Sequence, residues 1–135
     1  MVNELLVAIK EIKNHKNLHI VKFDYKGDEF SMMSLELPNI RESLHVKIGI
    51  KPLNVVISKE DSDKTSFSNT LQAKLASVEE GELLCSLNFI YKDAEFQSVI
   101  TKEAFLRLGL DVGEEVFLCM KANDIFIKEI CDEGC

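Results

Sequence analysis

The sequence predicts an all-β chain built as two small five-stranded barrels in tandem, and three observations predict it. Apolar residues alternate with polar ones in short runs bounded by turn signals. The same order of features recurs at a displacement of 66 to 70 residues. The polar run SKEDSDKTS at 58–66 contains no apolar residue and divides the 135 residues into stretches of similar length.

Taken in order, the first stretch gives strands over Leu5 to Ile12 and His19 to Tyr25, a turn at Lys26-Gly27-Asp28, then strands over Phe30 to Met33, Val46 to Lys51 and Asn54 to Ser58. Pro38 interrupts the region where a helix would fall, so only a turn is expected there. In the second stretch Leu71, Ala73 and Leu75 mark a strand and Glu80-Gly81 a turn. Leu83 to Tyr91 and Phe96 to Ile100 then form a hairpin about Lys92-Asp93. TKEAFLRLG follows as a short helix, capped by Thr101 and stopped by Gly109, before strands over Val116 to Lys121 and Asp124 to Ile130. Five short strands with one helix before the fourth suggest a closed barrel of the OB kind. The expected boundaries are a degenerate first domain at 1–60, a linker at 61–65, a second domain at 66–131 and a tail at 132–135. A barrel of this size buries only ~60% of its unfolded surface, so pairing within the chain and between chains is expected.

The repeat is positional. Asn3, Leu5 and Val7 correspond to Asn69, Leu71 and Ala73 at a displacement of 66, and IKPLNVVI at 50–57 corresponds to MKANDIFI at 120–127 at a displacement of 70. The second copy therefore carries four extra residues internally.

Charge narrows the function. The formal net charge is −7, and residues 65–135 hold six basic and thirteen acidic side chains. Such a surface repels phosphate backbones and anionic headgroups, which argues against nucleic-acid and membrane partners. The longest apolar stretches fall far short of a membrane span, the first ten residues do not read as a secretory signal, and a cytoplasmic location is expected. Cys85, Cys119, Cys131 and Cys135 follow no disulfide framework and are expected reduced, the last two as free tail thiols. His15 and His19 lack a third ligand, so no site for a free metal cation is expected. Met32-Met33 and Phe117 to Met120 read as barrel filling, and Phe23, Tyr25 and Phe30 as packing rather than a base-stacking face. Without a Gly-rich phosphate loop, a nucleophile elbow or a histidine in the second half, the chain does not read as an enzyme.

Three segments carry a resemblance. SFSNTLQAKL at 66–75, VITKEAFLRLGLDVGEEV at 99–116 and MKANDIFI at 120–127 resemble, in that order, the three motifs of the molybdenum-pterin-binding (Mop) domains, also called TOBE domains. In the first half only Asn3-Glu4-Leu5 and IKPLNVVIS resemble the same family. The resemblance implies OB-like barrels that bind molybdate or tungstate as an oxyanion, at interfaces between domains of a homo-oligomer, a trimer ahead of a dimer. Carried over by position, it implies oxyanion contacts from Lys121, Ala122, Thr101, Ser66, Ser68 and Asn69, with Lys51 as the first-copy counterpart of Lys121.

The chemistry suits a tetrahedral dianion, which needs several donors converging on four oxygens. The backbone N–H groups after Thr101 and at Ala122, the Lys121 ammonium and the short polar side chains are such donors. Ser68 and Ala104 replace an Arg and a Ser of the family pattern, and Pro52 removes the N–H beside Lys51. The implied role is storage, buffering or homeostasis of the oxyanion. A regulatory module acting on a transcription factor or a molybdate-transporter ATPase is the first alternative, and an OB-type nucleic-acid binder the second.

Overall fold

The structure, a computed structural model, describes residues 2–61 and 63–131. The tail at 132–135, with Cys135, and Ser62 of the linker lie outside the described residues. Strands β1 (Asn3–His15), β2 (Leu18–Tyr25), β3 (Asp28–Ser34), β4 (His45–Ile50) and β5 (Val56–Ser58) come from the first half. The second half supplies β6 (Asn69–Glu80), β7 (Leu84–Tyr91), β8 (Ala94–Thr101), the helix α1 (Lys102–Leu108), β9 (Glu115–Met120) and β10 (Phe126–Cys131). Single helical turns at Pro52–Asn54 and Ala122–Asp124 link β4 to β5 and β9 to β10.

The elements form where the alternation places them. In β7, Cys85, Leu87, Phe89 and Tyr91 are buried while Leu84, Asn88 and Ile90 are exposed, the period of a half-buried strand. Helix α1 begins where Thr101 Oγ1 accepts from the Ala104 N–H at 3.1 Å and ends where Gly109 turns left-handed at φ 59°, ψ 47°. No helix forms in the shorter first half between Ser34 and His45. The opening strands run further than the alternation predicts. Each bends at a bulge, between Ile9 and Glu11 in β1 and between Leu75 and Ser77 in β6, and continues as a hairpin arm.

The sheets depart from simple tandem barrels. Their strand orders are β10-β4-β1-β2-β3 and β5-β9-β6-β7-β8, so each half gives its last strand to the other. Val56, Ile57 and Ser58 of β5 pair with Cys119, Leu118 and Phe117 of β9, and β10 pairs antiparallel with β4 from Phe126↔Gly49 onward. Lys51 and Lys121 are both extended (φ −70°, ψ 138° and φ −78°, ψ 150°), and the turn after each carries the chain across. Gly49 accommodates this crossing, since a Cβ there would lie 2.6 Å from the Phe126 ring.

One apolar core runs through both halves. At the waist Tyr25 and Tyr91 lie 5.7 Å apart by ring centroids, and Phe30 and Phe96 meet Tyr91 edge-on at 6.3 and 6.0 Å. Polar contacts repeat the pseudo-twofold relation. The Tyr25 hydroxyl donates to Asp93 at 2.5 Å and the Tyr91 hydroxyl to Asp28 at 2.6 Å, while Lys26 and Lys92 pair with the same two carboxylates.

His19 bonds the Asn14 side chain, and no cluster of three or more metal-ligating side chains occurs among the described residues. Cys85 and Cys119 are free and buried, but Cys131 is disulfide-bonded, which corrects the expectation of a free thiol there. Cys131 is the buried last residue of β10 rather than part of a frayed, solvated end.

Candidate oxyanion site

The β6–β9 register assembles most of the candidate residues. Asn69 pairs with Met120, so Ser68, just ahead of β6, stands beside Lys121, just beyond β9. Lys121 is exposed and has no ion-pair partner among the described residues. Ala122 opens the following turn, in which the Asp124 N–H donates to Lys121 O at 3.1 Å and the Ile125 N–H to Ala122 O at 3.5 Å. Its own N–H thus has no partner inside the turn and can donate outward. Ser66 and Ser68 are exposed hydroxyls on the approach to β6.

Asn69 has another occupation. Its side chain is 1% exposed. Oδ1 accepts from the Ser31 N–H at 2.7 Å, and Nδ2 donates to Ser31 O at 3.0 Å and to Met120 O at 3.4 Å. Both amide hydrogens are used, leaving Asn69 as the tie between β6 and β3 of the other half. Asn3 does the same in reverse, donating to Gln97 O at 2.8 Å and accepting from the Gln97 N–H at 2.7 Å. Asn3 was not among the candidates; its displacement of 66 from Asn69 is the signal that finds it.

The turns after Lys51 and Lys121 pack against different strands. The turn after Lys121 packs against β3, whereas the turn after Lys51 packs against β8, whose last residue is Thr101. Ser98 fixes the latter contact by donating to Val55 O at 2.8 Å. An apolar groove of about 280 Å³ there joins Leu53 and Val56 to Ile100 and Ala104. At the start of α1 the Lys102 N–H is taken by Leu83 O at 2.8 Å and the Ala104 N–H by Thr101 Oγ1. The Thr101 hydroxyl proton can still be donated, so the helix start offers fewer donors than the sequence suggests.

Two pseudo-equivalent places result. One has Ser68 beside Lys121 with Ala122 following, and Asn123 of the same turn lines a groove of about 540 Å³ with Met33, Ser34 and Glu36. The other is the turn after Lys51, which packs against β8, the strand that ends at Thr101, but Pro52 has no N–H to add. Cys119, two residues before Lys121, has its thiol pushed up chiefly by burial, which keeps it a packing group rather than a nucleophile.

Comparison with known proteins agrees with this architecture. The TOBE domain family model matches residues 65–127. Molybdate/tungstate import ATP-binding protein WtpC of Pyrococcus abyssi is 30% identical over 59% of this chain, and WtpC of Pyrococcus horikoshii 30% identical over 61%. The chain spans about a quarter of the length of these relatives, 23% and 24%. A crystal structure of the cytoplasmic molybdate-binding protein ModG with molybdate bound superposes with a TM-score of 0.85, at 21% identity and over 94% of both chains.

Proposed function

We propose that the chain, whose residues 65–127 match the TOBE domain family model, binds molybdate or tungstate as an intact oxyanion and acts as a binding protein rather than an enzyme. The observation that supports the reading is the Asn69↔Met120 register, in which Ser68 neighbours Lys121 at the strand ends with Ala122 next in the chain. An ammonium, a directed amide and short hydroxyls suit a small dianion with four acceptor oxygens. The WtpC relatives and the molybdate-bound ModG structure support the choice of anion.

Ser66 and Ser68 hydroxyls, the Ala122 N–H and Lys121 would hold the anion, with Asn69 setting the strand register beneath them. Thr101 and Lys51 belong to the second place, where Pro52 weakens binding. An anion held at an interface between copies of the chain fits a homo-oligomer, a trimer ahead of a dimer. We place the protein in the cytoplasm as a store or buffer. Among the described residues no helix is long and apolar enough to cross a membrane. The likeness to a transporter ATPase subunit favours one alternative, a regulatory module that reports anion level to such an ATPase.

Titration calorimetry on anion-free protein with molybdate, tungstate, sulfate and phosphate tests the proposal. Heat from the first two alone is the expected result; no heat from any of the four would remove it. The number of anions per oligomer, with an anion-dependent pull-down, separates storage from signalling: many sites and no partner favour storage.

A further inference from the structure

The turns after Lys51 and Lys121 occupy equivalent places but differ in chemistry. At a displacement of 70, Pro52 stands where the other turn has Ala122, and Leu53 where it has Asn123. The first turn thereby lacks one backbone N–H and one side-chain amide, so a tetrahedral oxyanion finds fewer donors there. Apolar surface replaces them: Leu53 is 70% exposed and Val56, at the start of β5, 42%.

The facing wall has no counterpart at the other turn, because a helix forms after β8 and none forms after β3. Ala104, Arg107 and Leu108, three and four residues apart on α1, share one face of the helix. With Ile100 of β8 they border the groove of about 280 Å³ that also holds Leu53 and Val56. Arg107 is the one charged group among the described residues lining it. Its ion pair with Glu103 spans 3.9 Å between side chains 70% and 90% exposed. Such a solvated pair is weak, and the planar guanidinium keeps donors for a second carboxylate.

We propose that this groove is a separate binding site for a small carboxylate with an apolar chain. The chain lies among Leu53, Val56 and Ile100, and the carboxylate accepts from Arg107. A cationic ligand of the same shape is repelled by the guanidinium, and a neutral one leaves it unmatched. The volume lies just below the ~300 Å³ at which small-molecule sites begin, which restricts the occupant to short chains. The site uses neither Lys121 nor Ala122 and does not rest on the oxyanion reading.

Titration of the full chain with hexanoate, 1-hexanol and hexylammonium, followed by NMR shifts, tests it. Hexanoate should move the signals of Leu53, Val56, Ile100 and Ala104 to saturation. Hexanol should bind about tenfold more weakly, for want of a charge-assisted hydrogen bond, and hexylammonium not at all. Arg107→Gln should reduce hexanoate to the hexanol value and leave hexanol unchanged. Leu53→Asn, which copies the other turn, should weaken both. If Leu53→Asn fails to fold by circular dichroism, the exposed Arg107→Gln decides alone. No saturable shift, equal affinity for hexanoate and hexanol, or indifference to Arg107→Gln would overturn the proposal. Uptake that appears only after dilution to single chains would assign the groove to a second copy and overturn it equally. Molybdate calorimetry separates the two readings: Arg107→Gln should take up the oxyanion as wild type does, and a wild type that takes up none removes the oxyanion reading alone.

Discussion

Two residues that adjoin the same β6–β9 end divide binding from folding. Lys121 is exposed and unpaired among the described residues, so Lys121→Ala should alter stability by no more than ~0.5 kcal/mol. The same change should weaken anion uptake by ~1.5–3 kcal/mol, the worth of a charged hydrogen bond, or roughly ten- to a hundredfold. Asn69→Ala should do the reverse in kind. It orphans the buried Ser31 N–H and carbonyl, each costing about 1–3 kcal/mol, and denaturant melts should register that loss before any titration does. Equal stability of the two variants would show that Asn69 is no tie. The sequence grouped Asn69 with Lys121 as an anion donor but gave no sign that its amide is spent on Ser31, because the partner lies in the other half and side-chain hydrogen bonds leave no periodicity to read.

The turns that open at Pro52 and Ala122 are the same element with one chemical difference. Each follows an extended lysine, the backbone a residue preceding proline requires. Ala122→Pro should therefore be accepted by the fold while deleting the N–H proposed to face the anion. Titration should show markedly weaker uptake with a thermal midpoint near that of wild type; unchanged affinity would remove the amide from the site. Most of the elements could be read from alternation and capping, Cys85 to Tyr91 and the Thr101–Gly109 helix most clearly. The exchange of β5 and β10 could not. Val56 to Ser58 is a three-residue strand whose alternation is satisfied equally by β4 or β9, and the course of the turn after Lys51, not the pattern, selects β9. The sequence grouped Thr101 with Lys121, although β8, the strand that ends at Thr101, packs against the turn after Lys51.

Across the whole molecule the halves are bound by reciprocal contacts, and the two tyrosines of the chain both lie at their centre. Burial, then the Asp93 hydrogen bond, pushes Tyr25 up to about 12, and burial with Asp28 raises Tyr91 as well. A raised phenol favours the folded, protonated form, so this contribution is complete below pH ~10 and is lost as pH climbs through the folded value. Phenolate absorbance should then appear late and together with unfolding; early titration at the ordinary phenol value would place the tyrosines in solvent. Asp93 behaves oppositely: hydrogen bonds from Lys26 and then Tyr25 lower it to about 2, so its contribution is present above pH ~4 and fades as pH falls toward that value. Strand exchange gives the last expectation. A fragment of residues 65–131 keeps β9 without β5 and β10 without β4, and a fragment of residues 2–61 keeps β4 without β10. Each alone exposes an unpaired edge and half of a shared core, so neither should form a stable monomer. Mixed in equal amounts they should recover the circular dichroism and cooperative melting of the intact chain. A monomeric fragment that unfolds cooperatively alone would show that the exchanged strands are dispensable to each half.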